Sequence, residues 1–368
     1  MRLHIVALAV LLAFVPALDA GAQQKKGTAS RPAAAGKSAK PGAAKPGEAA
    51  KQKPPAIPPR EDYTGAEASA AAIAGMPEAR FWGDSEADFQ RALPTAPGPW
   101  LALSSGGADG AFGAGLLLGW TETGKRPDFA LVTGVSTGAL MAPFVFAGPK
   151  YDPMLRTAYT TINAGDVFEV RTKPDSFFDT WPLQELIAKQ VTPQLLTDVA
   201  AEHAKGRRLF VVTTNLDSER PTVWNMGAIA AVGGEAGLKL FRQIMLAAGS
   251  IPGAFPPVLI EVEASGKRFQ EMHADGGMCA QFFIAPESLL ASTSNYRLPA
   301  TELYVIINTQ LTPDFQVTER SLVPIVVRGV SVIVKTLTRV MIQQAYLAAK
   351  RSDIPFDLAT IPSSFNEP

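Results

Sequence analysis

Short apolar runs alternate with helical patterns from residue 100 to residue 147. Residues 100–104 form an apolar run typical of a buried strand, and the pattern after them is that of a helix ending near Glu122. Residues 128–133 are again apolar and β-branched, and residues 139–142 begin another helix. Because strands that alternate with helices pair in parallel, this order predicts an α/β protein with a mainly parallel sheet.

The same two patterns continue along the rest of the chain. They predict helices at residues 85–93, 194–204, 236–248 and 319–350, and strands at residues 209–214, 222–224, 269–274 and 304–307. The last helix is most apolar over residues 322–334, a run too short and too often interrupted by Lys and Arg to span a bilayer. We therefore expect a buried helix there, with a helix lying on a membrane surface as the alternative.

The first 22 residues have the pattern of a secretory signal peptide. Arg2 supplies the positive start, residues 5–15 form the apolar segment, and Ala20-Gly21-Ala22 gives a small-x-small cleavage site. Export to the periplasm or the medium is therefore predicted. An uncleaved segment that anchors the protein to the membrane is the alternative.

Residues 23–60 differ in composition from the rest of the chain. They are rich in Ala, Lys, Pro and Gly and carry nine basic residues and one acidic residue, a net charge of +8. Since residues 1–22 and the whole chain are each neutral, residues 61–368 carry −8. A segment with so few large apolar residues cannot build a core, so a disordered linker is predicted, with an electrostatic tether to an anionic envelope surface as the sharper alternative. Residues 61–368 then form one domain.

Composition limits the chemistry available to that domain. The chain has a single cysteine, Cys279, and three histidines, His4, His203 and His273, so neither a disulfide framework nor a metal site is expected. No cofactor motif is found, and the basic charge lies in the linker, so no nucleic-acid partner is expected. The oligomeric state stays open.

A G-x-S-x-G pattern supplies the strongest candidate nucleophile. Ser136 lies between Gly134 and Gly138, after the predicted strand at residues 128–133 and before a predicted helix. Strand, sharp turn, serine and helix in this order are typical of a nucleophile elbow. The pattern alone is also common in ordinary strand-to-helix turns.

Two further glycine-rich turns add candidate partners for Ser136. The Gly106-Gly107 turn follows its own strand, and with Ala108 it offers backbone N–H groups that suit an oxyanion. A nucleotide-binding loop would need a following Lys or a G-x-G-x-x-G pattern, and neither is present. Asp275 precedes Gly276 and Gly277 at the end of the strand predicted over residues 269–274.

Taken together and in this order, these motifs resemble those of the patatin-like phospholipases. That family has a G-G-G-x-[RK]-G oxyanion loop, a G-x-S-x-G elbow and a D-G-[GA] aspartate, and residues 247–258 are similar to its F-P-P segment. The resemblance covers residues 100–278 and implies a three-layer α/β/α fold. Ser105 replaces the first glycine of the oxyanion loop, and Asp109 stands where the family has Arg or Lys.

The resemblance also implies a mechanism and a substrate class. It implies a Ser136–Asp275 catalytic dyad, an oxyanion hole at Gly106, Gly107 and Ala108, and hydrolysis of lipid carboxylic esters at a membrane surface. We expect His203 to be a solvated surface residue and His273 to be structural. Two alternatives remain, a non-catalytic lipid-binding protein on the same fold and an ordinary α/β-hydrolase with a histidine in its triad.

Overall fold

The computed structural model describes residues 59–161, 167, 169–173 and 176–365. The predicted signal peptide at residues 1–22 and nearly all of the linker predicted at residues 23–60 lie outside the described residues. The helices are α1 (Gly65–Ala70), α2 (Glu86–Ala92), α3 (Gly110–Glu122), α4 (Thr137–Ala147), α5 (Asp152–Thr160), α6 (Trp181–Gln190), α7 (Pro193–Ala204), α8 (Met226–Val232), α9 (Gly234–Ala248), α10 (Glu287–Leu290) and α11 (Leu322–Ser352). The strands are β1 (Arg80–Trp82), β2 (Trp100–Leu103), β3 (Leu131–Val135), β4 (Glu169–Lys173), β5 (Ser176–Asp179), β6 (Arg208–Asn215), β7 (Arg220–Asn225), β8 (Val258–Ala264), β9 (Lys267–Asp275), β10 (Leu303–Gln310) and β11 (Phe356–Ile361).

The predicted parallel sheet is confirmed and forms the centre of the fold. Among the described residues, nine strands form one sheet, ordered β1-β7-β6-β3-β2-β10-β11, with β9 paired to β6 and β8 paired to β9. Five neighbouring strands, β6, β3, β2, β10 and β11, are mutually parallel. The antiparallel strands β1 and β7 extend one side of the sheet. On the opposite edge of β6, beyond the end of β3, β9 pairs antiparallel with β6, and β8 pairs antiparallel with β9.

Helices cover both faces of the sheet because the central strands β2 and β3 are buried at every position. In β2, Leu101 and Leu103 belong to one hydrophobic cluster, and Trp100 and Ala102 belong to the other. Helices α3, α4, α7, α8 and α9 pack on the first face, and α2, α10 and the end of α11 pack on the second. Strands buried on both sides are expected to be continuously apolar rather than alternating, as β2 is.

A change of neighbour along β6 brings the end of β9 close to the end of β3. Strand β3 pairs with β6 only as far as Val135↔Val212, and the chain then leaves the sheet at Ser136. From Thr213 onward, β9 pairs with β6, in the register Thr213↔Asp275. The end of β3 and the end of β9 therefore meet along β6.

The expectation of a buried helix over residues 322–334 is wrong. Helix α11 is present, but Leu322, Ile325, Val332 and Ile333 are exposed on it, and its buried contacts come from Thr338, Ala345, Ala348 and Ala349 near its other end. Only this far end reaches the core, so the N-terminal half extends along the surface. None of the described helices is long and apolar enough to cross a membrane.

Candidate active site

Ser136 occupies a strained turn between β3 and α4. Its φ of 55° and ψ of −124° lie in a region that residues other than glycine rarely adopt. Such strain persists only where the surroundings enforce it, and it is the backbone form of a nucleophile elbow. The side chain is 6% exposed and stands at the N-terminus of α4, where the helix dipole favours negative charge.

The elbow glycines are required by the close approach of backbone on both sides. A Cβ at Gly134 would lie 2.5 Å from the carbonyl oxygen of Gly138. One at Gly138 would lie 2.4 Å from the carbonyl oxygen of Leu103, at the end of β2. Because only glycine fits at these two positions, α4 can start directly against the ends of β2 and β3.

Asp275 lies in hydrogen-bonding contact with Ser136. The Ser136 hydroxyl donates to Asp275 Oδ2 over 2.6 Å, and the Gly277 N–H donates to Asp275 Oδ1 over 2.7 Å. The backbone is also fixed, since the Asp275 N–H donates to the Ser250 carbonyl and the Thr214 hydroxyl donates to the Asp275 carbonyl, both over 2.9 Å. Each oxygen of the carboxylate therefore has one donor, and one of them faces the serine.

Burial gives Asp275 the acid–base properties of a proton acceptor. The side chain is 4% exposed, and burial raises its pKa to about 6, although the hydrogen bonds from Ser136 and Gly277 oppose the shift. A base with a pKa just below the working pH is both ionised and a better proton acceptor than an ordinary aspartate. The pair can therefore move the serine proton without a third group.

His273 is committed to a buried hydrogen-bond network that does not include Ser136. Its Nε2 lies 3.2 Å from Glu271, its Nδ1 lies 3.0 Å from the Thr213 hydroxyl, and the Trp224 indole N–H donates to the same hydroxyl over 2.8 Å. Burial lowers the pKa of His273, although Glu271 opposes the shift. A neutral ring that donates from Nε2 and accepts at Nδ1 satisfies every group in this network.

His203 differs from the expected solvated residue. It is half-buried on α7, and its ring lies against Gly227, where a Cβ would be 2.4 Å from Nδ1. Its buried Nδ1 has no hydrogen-bond partner among the described residues. Neither of the two described histidines makes a hydrogen bond to the Ser136 side chain.

The loop of Gly106, Gly107 and Ala108 lies beside the elbow. Parallel pairing of β2 with β3 places the end of β2 next to the turn, and Gly107–Asp109 form a short 3₁₀ turn that leads into α3. The N–H groups at the start of a helical segment have no partner within it, so they remain available to an oxyanion. A Cβ at Gly106 would lie 2.3 Å from the carbonyl oxygen of Asn308 on β10, which fixes the loop against that strand.

Two polar residues that the sequence analysis missed hold these loops together. The side-chain amide of Gln281 accepts a hydrogen bond from the Ser105 hydroxyl and donates one to the Gly277 carbonyl over 2.6 Å. The backbone carbonyl of Gln281 accepts from the Ser105 N–H over 2.8 Å. Asn308 accepts from the Gly113 N–H and donates to the Ser104 carbonyl. Ser105, which departs from the family pattern, thus connects the oxyanion loop to the aspartate loop. The only sequence signals were a glutamine shortly after D-G-G and an asparagine closing an apolar strand.

Asp109 is exposed at the N-cap position of α3, directly before Gly110, and makes no capping hydrogen bond through its side chain. The surrounding protein raises the pKa of its carboxyl group, and the charge of Lys335 on α11 acts in the opposite direction. The position occupied by a basic residue in the family pattern is therefore acidic here, and the nearby positive charge comes from another helix.

A parallel sheet flanked by helices, with a buried serine–carboxylate pair at its carboxyl edge, defines the class as an α/β protein with a hydrolase-type elbow. Residues 101–286 match the family described as Patatin-like phospholipase, and the chain belongs to that family, whose members are lipid acyl hydrolases. Among solved structures, VipD from Legionella pneumophila matches at 14% identity with a TM-score of 0.36, over 59% of this chain and 50% of VipD, so the chain spans half of that protein's length. No curated protein gives a significant match.

Proposed function

We propose that this protein is a serine acyl hydrolase that cleaves lipid carboxylic esters with a Ser136–Asp275 dyad. The observation that carries the proposal is the 2.6 Å hydrogen bond from the Ser136 hydroxyl to the buried Asp275 carboxylate. Phospholipids and lysophospholipids are the proposed substrate class, because the family consists of lipid acyl hydrolases. The predicted signal peptide supports action outside the cytoplasm.

The reaction proceeds through an acyl-serine. Asp275 takes the hydroxyl proton while Ser136 Oγ attacks the ester carbonyl carbon, and the Gly106–Gly107–Ala108 loop donates N–H groups to the developing oxyanion. The tetrahedral intermediate collapses, and Asp275 returns the proton to the departing alcohol. Water then attacks the acyl-serine, giving its proton to Asp275. Collapse of the second intermediate releases the fatty acid, and the proton returns to Ser136.

A fluorophosphonate probe tests the nucleophile directly. We expect stoichiometric covalent labelling of the folded wild-type protein and none of Ser136→Ala, because only an activated serine attacks the phosphorus centre at a useful rate. The matched control is Ser69→Ala, which changes an exposed serine on α1 and should label like the wild type. Absence of labelling in the folded wild type would sink the proposal.

A second candidate, a non-catalytic lipid-binding protein on the same fold, is favoured by Asp109 in place of a basic residue. Hydrolysis of a short-chain nitrophenyl ester discriminates between the two. Turnover that is lost in Ser136→Ala supports the enzyme. Lipid binding without turnover by the wild type would favour the binding protein.

Gln281→Ala is expected to lower kcat for the short-chain ester by about ten-fold or more and to leave KM nearly unchanged. The glutamine is 4% exposed and joins the oxyanion loop to the aspartate loop, so its loss displaces donors rather than substrate contacts. Small displacements of catalytic groups cost up to about 10²-fold in rate. Steady-state kinetics of Gln281→Ala beside Gln343→Ala, an exposed glutamine on α11, checks this expectation. A kcat equal to that of the control would contradict a positioning role.

A further inference from the structure

The loop that leaves β10 and the first half of α11 present apolar side chains to solvent. Phe315 and Val317 in the loop are 94% and 82% exposed. We call the exposed apolar side chains of this region the apolar ridge; its members are Phe315, Val317, Leu322, Ile325, Val332 and Ile333. Contiguous apolar exposure of this kind marks an interaction surface more often than isolated exposed residues do.

The outward face of α11 is apolar where a surface helix is normally polar. The exposed positions at residues 322, 325, 329, 332, 333, 336 and 340 fall on one stripe at helical spacing, and they are Leu, Ile, Gly, Val, Ile, Thr and Val. Arg328, Lys335 and Arg339 line one side of the stripe. A surface helix normally has the reverse arrangement, with its apolar face turned towards the core.

Core packing does not account for this stripe. Between Leu322 and Leu337, no residue whose burial is described is fully buried. Among the described residues, the helix joins the hydrophobic core through Ala345, Ala348 and Ala349, with Met341 and Ile342 packed against the same cluster. The first half is held instead by polar contacts. Asp314 pairs with Arg328 over 3.0 Å and with Lys335 over 2.6 Å, which fixes the loop against the helix.

The apolar ridge lies at the same edge of the sheet as the candidate active site. Strands β2, β3 and β10 are parallel, so the loop after β10 emerges where the oxyanion loop and the elbow emerge. Asn308 on β10 contacts the oxyanion loop, and the charge of Lys335 acts on Asp109, the residue directly after that loop. A surface bound to the ridge would therefore face the edge of the sheet at which Ser136 lies.

Charge favours a membrane over a protein partner. Helix α11 contains five Lys and Arg residues and no Asp or Glu, whereas residues 61–368 as a whole carry a net charge of −8. Arg320 and Arg339 are exposed and make no salt bridge within the described part of the chain. An apolar stripe with a basic flank is the pattern of a helix that lies in the plane of an anionic bilayer surface.

We propose that the apolar ridge docks this protein onto an anionic phospholipid surface and so holds the entrance to Ser136 at the lipid interface. The inference rests on the proposed function, since it identifies how the same site would reach aggregated substrate. The apolar side chains enter the headgroup region, and Arg320 and Arg339, which make no salt bridge within the described part of the chain, pair with lipid phosphates.

Vesicle binding tests the docking surface separately from catalysis. Full-length protein carrying Ser136→Ala is incubated with vesicles of phosphatidylcholine and phosphatidylglycerol at 7:3, and the partition coefficient is measured by sedimentation. Adding Phe315→Ser, Ile325→Ser and Ile333→Ser is expected to lower it by at least about ten-fold, since each buried apolar side chain contributes roughly a factor of ten or more. Val232→Ser, an exposed valine on α8, is the matched control and should bind as before. Measurements in 0.5 M salt screen the basic residues 23–60 and the basic residues beside the ridge alike, so that the comparison isolates the apolar contribution.

The outcomes separate this proposal from the enzymatic one. In the otherwise wild-type protein, the triple variant should hydrolyse a soluble short-chain ester at the normal rate and vesicle lipid at least about ten-fold more slowly. Unchanged vesicle binding by the triple variant would overturn the docking surface. A wild-type dimer that the triple substitution converts to a monomer would also overturn it, because the ridge would then bind a second copy of the chain. If the wild type does not hydrolyse the soluble ester, the proposed function is refuted, and the vesicle-binding measurement still tests the docking surface.

Discussion

Replacing Asp275 with asparagine is expected to lower kcat/KM for ester hydrolysis by about 10²–10⁴-fold, the range that general-base catalysis contributes. Asparagine has nearly the same shape, and its amide oxygen can still accept from the Gly277 N–H that now bonds Oδ1 over 2.7 Å. It cannot take a proton from Ser136. The loss therefore reports the missing base rather than a displaced loop, and steady-state kinetics on a soluble ester measures it.

The pH profile of the wild type gives an independent check on the same residue. Burial raises the pKa of Asp275 to about 6, and the base must be ionised to act. We therefore expect kcat/KM to rise with pH and to reach half its plateau near pH 6. An ordinary exposed aspartate would put the midpoint near its reference pKa of about 3.9. A titration of kcat/KM between pH 4 and pH 9 distinguishes the two.

The same shift predicts that the base costs stability. Folding raises the pKa of this carboxyl group, so its contribution to the free energy of unfolding is fully present below the pKa of the unfolded chain. The contribution is lost as pH rises through about 6. The difference of roughly two pKa units corresponds to about 2–3 kcal/mol. Asp275→Asn should therefore gain stability relative to the wild type as pH increases from 4 to 7, while it loses activity. Thermal unfolding of both proteins at several pH values measures how the difference in their stability changes with pH.

His273 supplies the outcome that would contradict the dyad. Its two ring nitrogens are engaged by Glu271 and Thr213, so His273→Ala should lower stability while the remaining folded protein keeps its reaction with a fluorophosphonate. If His273→Ala abolishes this reaction and Asp275→Asn preserves it, the base is the histidine and the proposed mechanism is wrong.

Local patterns were sufficient to predict the elements that carry the candidate site. The continuous apolar runs of β2 and β3 indicated strands buried on both faces, and the glycines around Ser136 indicated a turn too tight for side chains. The position of Asp275 beside Ser136 depends on something that no local pattern contains. It follows from β9 replacing β3 as the neighbour of β6 after Val212, a long-range pairing visible only in the assembled sheet.

Residues whose roles depend on tertiary contacts were missed for the same reason. Gln281 and Asn308 are single polar residues near loop ends, and nothing in their neighbourhood distinguishes them from ordinary turn residues. The apolar run of α11 was misinterpreted because apolar composition indicates burial against something, without saying whether protein or another phase covers it. Only the exposed stripe at residues 322–340 showed that the protein core does not cover this part of the helix.

Replacing Glu271 with glutamine is expected to destabilise the fold by about 3–5 kcal/mol, the cost of removing one partner of a buried ion pair. Glu271 is fully buried and pairs with Arg80, whose side chain is 5% exposed. Burial opposes the ionisation of Glu271, but the hydrogen bond from His273 and the charge of Arg80 outweigh it and hold its pKa below the usual value. Glutamine keeps the size of the side chain but leaves the guanidinium buried without a counter-charge.

Thermal unfolding tests this, with an expected fall in Tm of at least about 6 °C at roughly 2–4 °C per kcal/mol. Asp84→Asn is the matched control, because Asp84 pairs with Arg220 at the surface and exposed pairs contribute about 1 kcal/mol or less. The double variant Arg80→Met with Glu271→Met removes both charges and should recover much of the loss, since apolar replacement of a buried pair is often neutral. A Tm for Glu271→Gln within 1 °C of the control would show that the charge on Glu271 does not support β9. The placement of Asp275, four residues further along the same strand, would then depend on the pairing of β9 with β6 and on the hydrogen bonds with Ser250 and Thr214.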